Sequence, residues 1–157
     1  MIQTQGLTRD FAELIHAWPA DAPQVIEACR HLLIDGLAVA VAGASQAGPS
    51  IMAQLARQAQ PNGVAQVIGH GFATAPVPAA RVNGMSMHVL DYEPMWSPAN
   101  HSLSPILPAL LAQAQQLEAD GAPPQGLSLL RALAKGVEVQ GRLRVASGQF
   151  EMPSMTL

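Results

Sequence analysis

Leu32-Leu33-Ile34-Asp35-Gly36-Leu37-Ala38-Val39-Ala40-Val41-Ala42-Gly43-Ala44 is the stretch that decides the fold. One charge, Asp35, interrupts an otherwise apolar run that is shorter than the roughly 20 residues a bilayer span requires. Asp21 can cap a helix entering this stretch, with Pro23 in its first turn, and Gly43 and Gly48 mark its end. Between Leu37 and Ala44 the run is apolar on every face, so the expected helix is central, with other helices all around it.

Helical signals continue in both directions. Upstream, Leu7, Phe11, Leu14, Ile15 and Trp18 recur at helical spacing behind Thr8, and Pro19 stops them. Downstream, Ser50 opens a third helix that Pro61, Asn62 and Gly63 end. Residues 64–68 alternate weakly and fit a short strand or an extended connection, and Gly69, Gly71, Pro76 and Pro78 read as loop. A fourth helix is expected from Pro78 to about Asp91, a fifth from Ser102 or Ser104 to Glu118, and a sixth from Pro124 to about Ser147. Short connections favour antiparallel neighbours, so the fold class is all-α, a bundle of about six helices. Leu32, Leu33, Leu37, Val41, Leu107, Leu110, Leu130 and Leu133 are expected in its core.

Composition supports one domain over residues 1–157. The chain is 49% hydrophobic but only 12% charged and 4% aromatic, and its apolar weight lies in Ala, Leu and Val, which suits closely packed helices. A net charge of -3 with eight scattered Lys and Arg removes the field that nucleic-acid binding needs. Nothing reads as a membrane span or a leader peptide. The single cysteine, Cys29, forms no intrachain disulfide, and the expected compartment is cytoplasmic. The apolar ending through Phe150, Met152, Pro153, Met155 and Leu157 calls for a cover, so the chain is expected to associate with itself or with a complementary chain through Phe150 and Met155.

Chemistry concentrates in His88-Val89-Leu90-Asp91-Tyr92-Glu93 and the following Met95-Trp96-Ser97-Pro98-Ala99-Asn100-His101. If the fourth helix reaches Asp91, His88 and Asp91 share a face. His101 precedes the fifth helix, whose unsatisfied N–H groups attract anions. Imidazole exchanges protons near neutral pH. Asp91 and His101 are therefore the expected catalytic pair, with Tyr92, Trp96 and Ser102 lining a carboxylate-binding pocket and Glu93 outside the working pair. The spacing also allows His88, Asp91, Glu93 and His101 to offer ligands to zinc or iron, but no compact signature such as H-E-x-x-H occurs. The expectation is no metal and no cofactor. His16, His31 and His70 stand alone and read as structural.

Asn83-Gly84 followed by His88-Val89-Leu90-Asp91-Tyr92 and then His101 resembles the signature of the MmgE/PrpD family. The likeness extends through Leu33 to Ala40, Pro105 to Leu111 and Gly136 to Leu143. The resemblance implies a helical domain facing a smaller α+β lid, an active site between them, no cofactor, and homodimerisation. This chain would be the N-terminal part of that helical domain, without the lid. The implied chemistry is cofactor-free proton abstraction next to a carboxylate of a small di- or tricarboxylate, with Asp91 and His101 as catalytic residues. The implied outcomes are dehydration, decarboxylation or epimerisation. Where the family shows further acidic residues and Thr, this chain has Glu93, Pro94 and Met95. Its only lysine is Lys135, so the later active-site lysines have no counterpart. A catalytically silent helical subunit that binds a partner is the competing expectation.

Overall fold

The computed structural model describes residues 6–97 and 100–148. Six helices carry the fold: α1 (Leu7–Ala17), α2 (Pro23–Gly43), α3 (Ala47–Ala59), α4 (Pro76–His88), α5 (Leu103–Ala119) and α6 (Gly126–Ala146). Two small antiparallel sheets complete it, β1 (Ala65–Val67) with β2 (Phe72–Thr74), and β3 (Met95–Trp96) with β4 (Asn100–His101). The chain is mostly helical, and no helix among the described residues is long and apolar enough to cross a membrane. Phe150 and Met155 lie outside the described residues.

The boundaries differ from the sequence reading where proline and local pairing intervene. Helix α3 starts at Ala47, ahead of Ser50, because Pro49 fits a first turn whose N–H groups have no partner anyway. Pro76 takes the first position of α4 for the same reason. The glycine-rich stretch expected as loop folds back as β2, pairing Val67 with Phe72. Asn83 fixes that hairpin to α4: its amide oxygen accepts the Ile68 N–H at 2.9 Å and its amide nitrogen donates to the Gln66 carbonyl at 2.9 Å.

Two apolar clusters hold the helices together. The larger joins Ile26, Val39 and Ala40 of α2 to Met87 of α4, Leu103 and Leu107 of α5, and Leu133 of α6. The smaller joins Ala53, Val67, Ala79, Val82 and Ala112. Small residues let the backbones approach. A Cβ at Gly43 of α2 would run into the Ser86 carbonyl of α4, so only glycine permits that crossing. A Cβ at Gly84 would lie 2.9 Å from the Ser104 oxygen. That carbonyl receives no helical bond from Pro108, which has no N–H, so it is turned toward α4.

Helix α2 is not surrounded as expected. Leu107, Leu130 and Leu133 are buried and Leu32, Leu33 and Leu110 are partly buried, but Leu37 and Val41 are exposed, Val41 at 62%. With Ile34 they form an uncovered apolar side, while Val39, Ala40 and Gly43 face α4, α5 and α6. Periodicity detects apolar faces but not the number of neighbours that cover them. Cys29 lies on the covered side, and burial pushes its thiol up, which keeps it protonated.

Candidate functional site

The site forms where α4 ends and α5 begins. Helix α4 stops at His88, three residues short of the expected end, so Asp91 does not share a helical face with His88. Instead the Asp91 N–H bonds to the His88 carbonyl at 2.8 Å, and Asp91 adopts φ +56°. This left-handed conformation is disfavoured for most side chains and tolerated best by Gly, Asn and Asp. It turns the chain through Tyr92 and Glu93 toward the start of α5.

Glu93 is the centre of the arrangement, although the sequence reading left it outside the working pair. Its side chain is fully buried. One oxygen accepts the Ser104 N–H at 2.7 Å, which places the carboxylate at the positive end of α5. The other oxygen lies 2.6 Å from His88 Nδ1 and 3.4 Å from His101 Nδ1. The two imidazole rings meet edge to face with centroids 4.7 Å apart. On its opposite edge His101 Nε2 faces Asp91 Oδ1 at 3.5 Å. The order in space is thus His88, Glu93, His101, Asp91, running from one surface through a buried carboxylate to another.

Exposure separates these groups. The His101 side chain is 16% exposed and the Asp91 side chain 71%. Tyr92 is exposed beside Asp91. Ser102 is buried, helical in backbone, and makes no capping bond, so its hydroxyl has no partner. The adjacent Asn100 Nδ2 and His101 Nδ1 are also buried without a hydrogen bond, which leaves polar atoms on three consecutive residues available to a ligand or water. Gln140 of α6 steadies this segment, donating to Asn100 Oδ1 at 3.3 Å and toward the His101 carbonyl at 3.5 Å. The expectation that free N–H groups after Ser102 receive a substrate carboxylate needs one change, because Glu93 already occupies the N–H of Ser104.

Two grooves flank the cluster. One, of about 550 Å³, is lined by Arg81, Gly84 and His88 of α4 and by Ser104 and Pro105 of α5. Arg81 gives this groove a cation, about two helical turns along α4 from His88. The other, of about 640 Å³, runs between α1 and α6 and is lined by Leu7, Phe11, Trp96 and Gly141. Trp96 packs so closely on Gly141 that a Cβ there would meet its ring at 2.8 Å. The structure therefore puts Trp96 on the groove of α1 and α6, and His88 and Ser104 on the groove of α4 and α5.

His88, Glu93 and His101 each present one ligand atom, and these atoms lie within 4.8 Å of one another. Two ligands on a tetrahedral ion with bonds of about 2.0–2.1 Å stand roughly 3.4 Å apart. The 2.6 Å between His88 Nδ1 and Glu93 is instead the spacing of a shared proton. As it stands, Glu93 is hydrogen-bonded to His88 and to the Ser104 N–H, and His101 stands beside the same carboxylate.

The chain is thus a mostly helical domain with an imidazole–carboxylate cluster at the junction of α4 and α5. The profile of the MmgE/PrpD N-terminal domain matches residues 9–152, and the chain belongs to that family. It is 31% identical over 147 residues to a cis-aconitate decarboxylase of Mus musculus and 32% identical over 144 residues to that of Homo sapiens. Each match covers 88% of this chain and 29% of the relative. A cis-aconitate decarboxylase of Aspergillus terreus is 31% identical over 139 residues, covering 84% of this chain and 28% of its own. The chain thus spans less than a third of the length of these relatives.

Proposed function

We propose that this chain carries the acid–base part of a lyase acting on a small di- or tricarboxylate, and that decarboxylation of a cis-aconitate-like substrate is its reaction. The observation that carries the reading is the approach of His101 Nε2 to the exposed Asp91 carboxylate at 3.5 Å, beside the start of α5. The names of the similar decarboxylases support the choice among dehydration, decarboxylation and epimerisation.

Breaking a bond next to a carboxylate leaves carbanionic charge that must be stabilised and then protonated. His101 is the acid or base, because its Nδ1 edge lies 3.4 Å from the Glu93 carboxylate and its Nε2 is directed toward Asp91. Asp91 holds or shares the proton at Nε2. Tyr92 and Ser102 contribute to the substrate pocket, and Arg81 offers a carboxylate-binding cation in the neighbouring groove. The reading includes no cofactor or metal, a cytoplasmic location, and assembly as a homodimer or with a complementary chain that supplies further cations and a lid.

The test is turnover of cis-aconitate in heavy water, followed by NMR, by the chain isolated with whatever assembles on it. Expected are carbon dioxide release and deuterium in the remaining acid, both lost in Asp91→Asn and His101→Ala. Unaltered cis-aconitate at high protein concentration, with no shift of the Asp91 or His101 resonances, overturns the reading.

A second reading, a catalytically silent subunit, is favoured by the uncovered side of α2, where Ile34 and Val41 are 66% and 62% exposed. Solution mass separates it: a silent subunit binds its partner unchanged when Asp91 and His101 are both replaced.

A further inference from the structure

We infer that His88 is the outer station of a proton relay that connects His101 to solvent through the buried Glu93 carboxylate. The inference rests on the role given above to His101 and assigns a task to two residues that role does not use.

The geometry carries it in three parts. Glu93 is fixed by the Ser104 N–H on one oxygen, so its other oxygen alone serves both imidazoles, at 2.6 Å from His88 Nδ1 and 3.4 Å from His101 Nδ1. The second distance is not aligned as a hydrogen bond, but a small ring rotation closes it, as catalytic contacts commonly close when substrate binds. His88 is 48% exposed and its ring lines the groove of α4 and α5, whereas the His101 ring is 16% exposed and directs Nε2 to Asp91. A substrate seated at Asp91 would cover His101 Nε2 and leave His88 as the imidazole still in contact with water. The charged groups facing His88 and Glu93 are His101, Asp91 beyond it, and Arg81 along the same groove.

The transfer balances without another reactant. Inward, water protonates His88 at Nε2, the hydrogen on Nδ1 passes to Glu93, and Glu93 delivers it to Nδ1 of His101, which becomes an imidazolium. Outward, the same steps reverse: His101 returns the proton through Glu93 to His88 Nδ1, and the hydrogen on His88 Nε2 leaves to water. Glu93 ends each passage as a carboxylate. A decarboxylation replaces a carbon–carboxylate bond with a carbon–hydrogen bond and consumes one proton: with substrate covering Nε2, the inward passage charges His101 at Nδ1 and Nε2 gives its hydrogen to the product, and once the product has left, Nε2 takes a proton from water while the hydrogen on Nδ1 returns outward, which resets both rings. His88 and Glu93 act through His101 and are positioning residues.

The experiment is hydrogen exchange of the His101 ring N–H, read by NMR on the whole chain and independent of turnover. Substituting His88→Gln keeps a donor to Glu93 but cannot pass a proton through, and His88→Phe removes the station. Exchange is expected to slow at least about tenfold in both variants, to recover when free imidazole is added to His88→Phe, and to remain unchanged in Arg30→Ala, on the exposed side of α2. Unchanged exchange in a folded His88→Gln variant overturns the relay while leaving the catalytic roles of Asp91 and His101 intact. Loss of turnover in His101→Ala together with normal turnover in His88→Gln does the same. Turnover that survives His101→Ala overturns the function itself, with the exchange result standing separately.

Discussion

Asp91 and Glu93 are carboxylates two residues apart, yet they occupy opposite sides of one loop. Glu93 is fully buried, holds the start of α5 and lies between two imidazoles. Asp91 is 71% exposed, touches a single imidazole at 3.5 Å and sits in a left-handed backbone conformation. A side chain that satisfies several buried partners contributes to the fold and cannot readily change partners. One held in a costly conformation with open space before it is free to meet a ligand. The inner wall of the loop therefore keeps the geometry, and the outer lip is left free to meet a ligand.

Separating the two walls by mutation gives effects of decreasing size. The largest belongs to the lip: Asp91→Asn, which keeps a side chain tolerated at φ +56°, should lower kcat/KM by roughly 10²–10⁴-fold, the usual worth of a positioned acid–base group, without lowering the melting temperature. A melting temperature that falls with activity would make Asp91 part of the wall. Next comes Glu93→Leu, which leaves the Ser104 N–H and His88 Nδ1 without their acceptor and should cost about 2–4 kcal/mol in urea unfolding. A cost below 0.5 kcal/mol, roughly that of an ordinary surface change, would remove Glu93 from its structural place.

Asp91→Gly should gain about 0.5–1 kcal/mol of stability in the same unfolding assay, because glycine adopts φ +56° without steric cost. Destabilisation would mean that the Asp91 side chain holds the turn. The smallest effect is expected at Tyr92, which is 70% exposed: Tyr92→Ala should change stability by less than about 0.5 kcal/mol, while weakening tricarboxylate binding in calorimetry. Equal binding in the variant would place Tyr92 outside the pocket.

Much of the fold was legible in the sequence, and the division within the loop was hidden for identifiable reasons. The helical period revealed all six helices, and proline and glycine marked most of their ends. Leu107 and Leu133 were recognisable as core because their apolar neighbours recur at helical spacing. Leu37 and Val41 were not recognisable as exposed, since a sequence pattern records hydrophobicity and not which neighbours stand opposite. His101 and Asp91 drew attention as a titratable pair near a helix start. Glu93 did not, because its importance depends on the Ser104 N–H, eleven residues on, and on a ring that reaches it only after the loop has folded. The left-handed turn at Asp91 was equally invisible, although Asp followed by an aromatic residue and Glu-Pro is a sequence in which a helix readily ends.

The tether from Gln140 to the segment around His101 has a consequence for how the protein is made. Gln140 lies thirty-nine residues after the carbonyl it approaches. On the ribosome, α4, the loop and α5 emerge first, and their side chains can sort into the inner wall and the outer lip. Asn100 then lacks its donor until most of α6 has left the exit tunnel. The site is therefore completed only after α6 has emerged, and a pause before α6 would leave an unfinished acid–base array exposed at the ribosome surface.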